Sequence, residues 1–190
     1  MKKRCFLLIW VVILLVGLAF LAAAAEQTKD RRYTLPGHGV LQMKVPVSWK
    51  EEVKQQSDNL PPTITLTPAI GDQFKIFITP FWKESVDAPD INDYIVHRMV
   101  ERAANANQPN AVEKTLKLIY LEGSSGRGYY FSATDKAPEK GGYKFLTQGA
   151  LLVDELAVTF TILTNDGQKD VESAALEMIK GASHVSEKGD

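Results

Sequence analysis

Hydrophobic positions along this chain change period in a readable order. Leu41, Met43 and Val45 alternate with polar neighbours, so residues 33–35 and 40–45 read as short strands joined by the turn Pro36-Gly37-His38-Gly39. Pro46-Val47-Ser48-Trp49 forms a step, and residues 50–58 are too polar for a core. Thr63-Ile64-Thr65-Leu66-Thr67 alternates cleanly, and Phe74, Ile76 and Ile78 repeat every second residue after Gly71-Asp72, which predicts a second hairpin. Asp90 stands as an N-cap before a helix whose apolar face would be Ile91, Tyr94, Ile95, Met99 and Ala103, fading over 105–109. Four further strands are expected at 112–121, 127–133, 142–153 and 156–164, separated by turns containing Gly or Asp. Asn165-Asp166-Gly167 ends the last of them. Val171, Ala174, Ala175, Met178, Ile179 and Ala182 then fall at helical spacing, with Gly181 as the stop.

Strands joined by short turns must pair antiparallel, because a parallel pair needs a crossover of about a dozen residues. In the last strand Leu156, Val158, Phe160 and Ile162 point one way while Ala157, Thr159, Thr161 and Leu163 point the other. Both faces carry apolar groups, so the sheet should be covered on both sides. The expected class is α+β: an antiparallel β-sheet covered by two main helices, an α/β/α sandwich.

The first residues add a compartment. Lys2, Lys3 and Arg4 precede an uncharged apolar run from Cys5 to Ala25 that ends in four alanines, the grammar of a signal peptide over residues 1–25. Cleavage is expected after Ala24 or Ala25. A run of this length also suffices to cross a hydrocarbon core of about 30 Å, so an uncleaved anchor is the other reading. Either way the basic end stays inside and residues 26–190, expected as a single domain, end up on the far side. Cys5 is the only cysteine, and it precedes the apolar run, so it cannot be the acylated cysteine of a lipoprotein. The exported part therefore holds no disulfide, thiolate metal site or cysteine nucleophile. Net charge is −1 for the whole chain, and loss of the three basic residues at the start takes it to −4. A mildly acidic surface of mixed sign argues against a nucleic-acid partner.

Three stretches carry a resemblance. They are Leu35-Pro36-Gly37-His38-Gly39-Val40, the step Lys44-Val45-Pro46-Val47-Ser48-Trp49, and an ending in which a strand hairpin over 143–164 leads to a helix closing on Met178-Ile179-Lys180-Gly181-Ala182-Ser183. Together they resemble the PsbP-like fold family, the PsbP and DcrB-type envelope proteins, in element order over nearly the whole exported part. The resemblance implies a noncatalytic accessory, assembly or binding protein, and it assigns no functional residue.

Several residue groups are candidates for chemistry. Asp93, His97 and Glu101 fall at i, i+4 and i+8, so they share a helix face that could hold a hard or borderline metal, and an ordinary solvated face explains them too. Gly123, Ser124, Ser125, Gly126 and Gly128 look superficially like a phosphate loop, but they join strand to strand and read as a hairpin turn. A serine triad would have to draw on His38, His97 or His184, of which His184 lies near a fraying end, and no Gly-x-Ser-x-Gly is present. Acidic residues brought together by folding leave a hydrolase as one alternative, and a metal-binding module is another. Among the aromatics, Trp82 after Pro80 and Tyr130 within Tyr129-Tyr130-Phe131 are the expected ligand or partner surface. No catalytic residue, metal ligand or cofactor is assigned. The leading expectation is a noncatalytic periplasmic or envelope-associated binding or assembly protein, with a protein or envelope component as partner and membrane contact only through an uncleaved N-terminal segment.

Overall fold

A computed structural model of the chain describes residues 26–57, 60–83, 85 and 87–187, so the expected signal segment lies outside the described residues. Among these, the elements run β1 Thr28–Leu35, β2 Gly39–Pro46, β3 Trp49–Lys54, β4 Thr63–Pro68, β5 Lys75–Phe81, α1 Asp93–Asn107, β6 Ile119–Glu122, β7 Arg127–Thr134, β8 Phe145–Val153, β9 Leu156–Thr164, α2 Lys169–Lys180 and β10 Ser183–Val185. The strand pairs are antiparallel, as short connections require where they join neighbouring strands. The fold class is α+β.

One expectation needs correcting: the strands divide between two sheets. A seven-stranded sheet has the order β3-β4-β5-β9-β8-β7-β6, and β1-β2-β10 form a separate three-stranded sheet. The first hairpin therefore serves as a cover for the main sheet. Its Tyr33, Leu35, Leu41, Met43 and Val45 share one core with Ile76 and Ile78 of β5, Val158, Phe160 and Ile162 of β9, and Ala175, Met178 and Ile179 of α2. On the opposite face, α1 lies over β7 and β8 and packs Val96, Val100 and Ala104 against Phe131, Ala133, Ala150 and Ala157.

That second packing corrects the expected helix face. The buried stripe is Val96-Val100-Ala104, while Tyr94 is 68% exposed and Ile91, Met99 and Ala103 sit at the margin. Small and β-branched side chains allow the helix close to a sheet face that is itself rich in alanine; the larger Ile91-Ile95-Met99 row would hold it away. The cap also shifts by two residues. Asn92 accepts from the Ile95 amide at 3.1 Å, and Asp90 instead pairs with Lys83 at 2.9 Å.

The polar stretch after Trp49 stays out of the core, as expected, and its first part forms a strand. β3 is the outer strand of the large sheet, where Lys50, Glu52 and Lys54 can face water and discourage pairing with another chain. Its Glu51 points inward and ties the two sheets together, accepting from the Tyr33 hydroxyl at 2.8 Å and pairing with Arg31 at 2.5 Å. Burial, reinforced by this carboxylate, pushes the Tyr33 hydroxyl pKa well up, so it stays protonated and donating.

The expected strand over 112–121 shortens to β6. Upstream of it the chain is held by side chains: Gln108 donates to the Glu113 carbonyl at 2.8 Å and accepts from the Leu116 amide at 2.7 Å. Between α2 and the chain end expected to fray, a short strand is added, with Ser183, His184 and Val185 opposite Gln42, Leu41 and Val40.

Packing in the main sheet leaves no room for a side chain at Gly149, mid-way along β8, where a Cβ would lie 2.5 Å from the Phe160 ring and 2.5 Å from the Tyr129 carbonyl. Gly149→Ala should therefore destabilise the fold by about 1–3 kcal/mol through overpacking, measured by denaturant unfolding. An unchanged midpoint would mean that the sheet yields there.

Candidate functional site

Where β7 ends, β8 begins and β9 hands over to α2, a cleft of about 350 Å³ opens with three carboxylates in its wall, Asp166, which pairs with Lys144 at 2.8 Å, and the more deeply set Glu113 and Glu172. Glu172, in the first turn of α2, accepts from the Thr147 hydroxyl at 2.6 Å and from Ser132 at 3.3 Å, and pairs with Lys169 at 3.1 Å. Glu113 accepts from the Thr134 amide at 2.9 Å and the Thr134 hydroxyl at 2.8 Å. Burial alone would raise both pKa values. For Glu113 the backbone amides and the Thr134 hydroxyl outweigh it, and for Glu172 the Thr147, Lys169 and Ser132 donors do, so both groups lie below the usual carboxylate range. An acid–base pair for sugar cleavage needs one carboxyl raised so that it keeps its proton at neutral pH. These two carboxylates are instead held ionised and occupied by neighbours.

The helix triplet does not converge. His97 sets its ring edge-on to Tyr129, with centroids 4.8 Å apart, and the Tyr129 hydroxyl donates to Asp93 at 3.4 Å. Glu101 turns away to Arg98. Asp93 and His97 thus face the sheet, against the expectation of a solvated face. No three His, Cys, Asp or Glu side chains gather as a metal would require among the described residues.

The glycine–serine segment is the β6–β7 hairpin turn, as its strand-to-strand position implied, closed by Gly123 donating to the Gly126 carbonyl at 2.8 Å. Its serines have a use that sequence reading missed. Ser124 donates from its amide to the Lys180 carbonyl at 2.8 Å, and Ser125 donates from its hydroxyl to the Ala182 carbonyl at 3.2 Å, so the turn satisfies carbonyls at the end of α2.

Trp82 and Tyr130 are not brought together: two strands, β9 and β8, lie between β5, which Trp82 follows, and β7. The Trp82 ring is half-buried and stacks on His38 of the β1–β2 turn at 4.5 Å. His184 of β10 donates from Nε2 to the His38 carbonyl at 2.6 Å, so these residues fasten one end of the small sheet to the large one. Tyr130 is half-buried on β7, directly opposite Ile119 of β6.

β6 closes the large sheet on the side away from β3, and it leaves Ile119 44% and Tyr120 49% exposed. Tyr120 also packs edge-on against Tyr129, 5.8 Å between centroids. Four of the six residues of β3 are charged, whereas Glu122 is the one charged residue of β6. Ile119, Tyr120, Tyr129 and Tyr130 therefore form an aromatic and aliphatic rim along a sheet edge without the charges that guard the other edge.

No family model matches the chain, and no curated protein matches its sequence. Solved structures do. The solution structure of cyanobacterial PsbP from Synechocystis sp. PCC 6803 is similar at a TM-score of 0.52 and 10% identity, over 86% of this chain and 96% of that one. The fold is PsbP-like. A crystal structure from Bacteroides thetaiotaomicron is similar at a TM-score of 0.52 and 14% identity, over 84% of this chain; this chain spans half the length of that one. At such identities the likeness concerns the backbone arrangement alone.

Within this PsbP-like fold the Glu172 carboxylate joins α2 to β7 and β8, and its depressed pKa makes that link pH-dependent. The stabilisation is complete above the ordinary glutamate value of 4.5 and is lost as pH falls through the lower folded value. Glu172→Gln should lower stability at pH 7 by about 1–3 kcal/mol and flatten the acid limb of a melting-temperature profile between pH 7 and pH 3. A variant with the acid limb of the unmodified protein would contradict this role.

Proposed function

We propose that this chain is an exported, noncatalytic binding or assembly protein of the periplasm or envelope, which engages a protein partner along the β6 edge. The observation that carries the reading is that rim: Ile119 and Tyr120 exposed on an edge strand, with Tyr129 and Tyr130 beside them. An unpaired strand edge offers main-chain hydrogen bonds to an extended partner segment, and the flanking rings supply contact area and selectivity. Tyr130 is the member of the expected aromatic pair that lies on this surface; Trp82 serves the junction of the two sheets.

Three further observations support it. The N-terminal Lys2-Lys3-Arg4 and the apolar run after them provide for export. The carboxylates of the cleft are occupied by donors of the chain itself, which speaks for structural anchoring over acid–base work. The fold matches that of a cyanobacterial PsbP, which lends the reading a scaffold but no residue.

Affinity-tagged protein exported in cells and recovered from envelope extracts should carry a defined partner. Ile119→Lys and Tyr120→Lys place a charge on the edge and should lower that recovery by roughly tenfold or more while leaving melting temperature within a few degrees. Equal recovery by the variants would remove the β6 edge from the proposal, and turnover of a small substrate by the pure protein would remove its noncatalytic character.

A further inference from the structure

Single exposed aliphatic side chains are ordinary on a protein surface, so position decides whether one carries meaning. Ile70 is 95% exposed, at the tip of the β4–β5 turn just before Gly71, whose φ of +100° lets the chain fold back. Val47, on the β2–β3 turn, is 48% exposed. The two turns are joined, because the Ala69 amide donates to the Ser48 carbonyl at 2.9 Å. The start of the described chain meets them at the same place: the Val47 amide donates to the Gln27 carbonyl at 2.9 Å, and the Ser48 hydroxyl donates to Glu26. Glu26 directly follows Ala25, the last residue of the apolar run. Two bare aliphatic side chains thus stand where the segment able to enter a membrane joins the domain.

We infer that this end of the domain, with Val47 and Ile70 at its tip, docks on the lipid bilayer that holds the N-terminal segment. The inference rests on the export reading and adds to it that residues 1–25 stay attached and that the domain has a fixed orientation on the membrane. The run from Cys5 to Ala25 has the length to cross a hydrocarbon core, and a tether that short keeps the adjoining turns at the interface. Ile70 and Val47 then enter the boundary between headgroups and acyl chains, where apolar side chains leave water. No strong basic patch is needed, since the tether supplies the attachment and the two side chains set the tilt. This placement turns the β8–β9 turn, with exposed Asp154 and Glu155, away from the membrane, because that turn lies at the other end of the sheet.

The test uses the full chain with Cys5→Ser, reconstituted in vesicles of phosphatidylethanolamine and phosphatidylglycerol. A polarity-sensitive dye is attached in turn to Ile70→Cys, Val47→Cys and, as the distant reference, Glu155→Cys. The emission of the dye at 70 and 47 should shift to the blue and be quenched by spin-labelled lipid, while the dye at 155 reports water. A chain that enters the vesicles while position 70 behaves like position 155 overturns this inference and leaves the export reading standing. A chain that never enters the vesicles overturns both. In cells, a product that begins at Glu26 and washes from the membrane also overturns it, with export retained.

Discussion

The two unlike faces of the seven-stranded sheet set the rest of the structure. Along β9 the large residues Leu156, Val158, Phe160 and Ile162 fall on one side and Ala157, Thr159, Thr161 and Leu163 on the other, and a slip of one residue would exchange them. The large-residue side continues through Ile76 and Ile78 of β5 and Ile64 and Leu66 of β4, too broad an area for one helix to cover. It is closed by α2 together with the small sheet. The alanine-rich side needs one helix held close, and α1 meets it with Val96, Val100 and Ala104. Each covering element is thus matched in side-chain size to the face it buries.

Where the pattern was strong, it was legible. The hairpins of β1–β2 and β4–β5, the run β7-β8-β9 and the stripe of α2 all follow from alternation or helical spacing, because burial on one face imposes these periods. The misreadings share a cause, which is that burial of one element is decided by another. β3 reads only as too polar for a core, because an edge strand can be polar, and only its neighbours reveal that it pairs. α1 offers two apolar stripes, and the alanines of β8 and β9 choose between them. His184 looks terminal until β2 presents an open side for it. That β1 and β2 form a separate sheet depends on which strand lies beside β3, and no local period records this.

Polar side chains show the same dependence. Glu113, Glu172, Ser124 and Ser125 are spread over the sequence, yet each holds a connection in place by bonding to backbone or hydroxyl groups far along the chain, while Gln108 fastens the nearby segment up to Leu116. Buried polar groups require such partners, so a fold with long irregular links between β5 and β7 uses its carboxylates and amides for fastening. The Asp93–His97 face, turned inward with the valines, meets the same need in part. Tyr129 supplies a hydroxyl and a ring edge to them, and a pattern that resembles a metal site by spacing becomes part of the α1–β7 contact. Sequence spacing could place Asp93 and His97 on one face, but the direction of that face was set by the valines beside them.

What remains available for partners is then defined by subtraction. Charges cover β3, and β1 carries Lys29, Asp30, Arg31 and Arg32 along the outer strand of the small sheet. β10 is only three residues long. Long or apolar edges invite pairing with other chains, and these three are protected by charge or by brevity. β6 has neither full protection: it is short, but Ile119 and Tyr120 lie bare on it and tyrosines flank it. In a chain that guards its other edges, such an exception is more economically explained by a partner than by neglect, because an unguarded edge would otherwise expose the protein to nonspecific association.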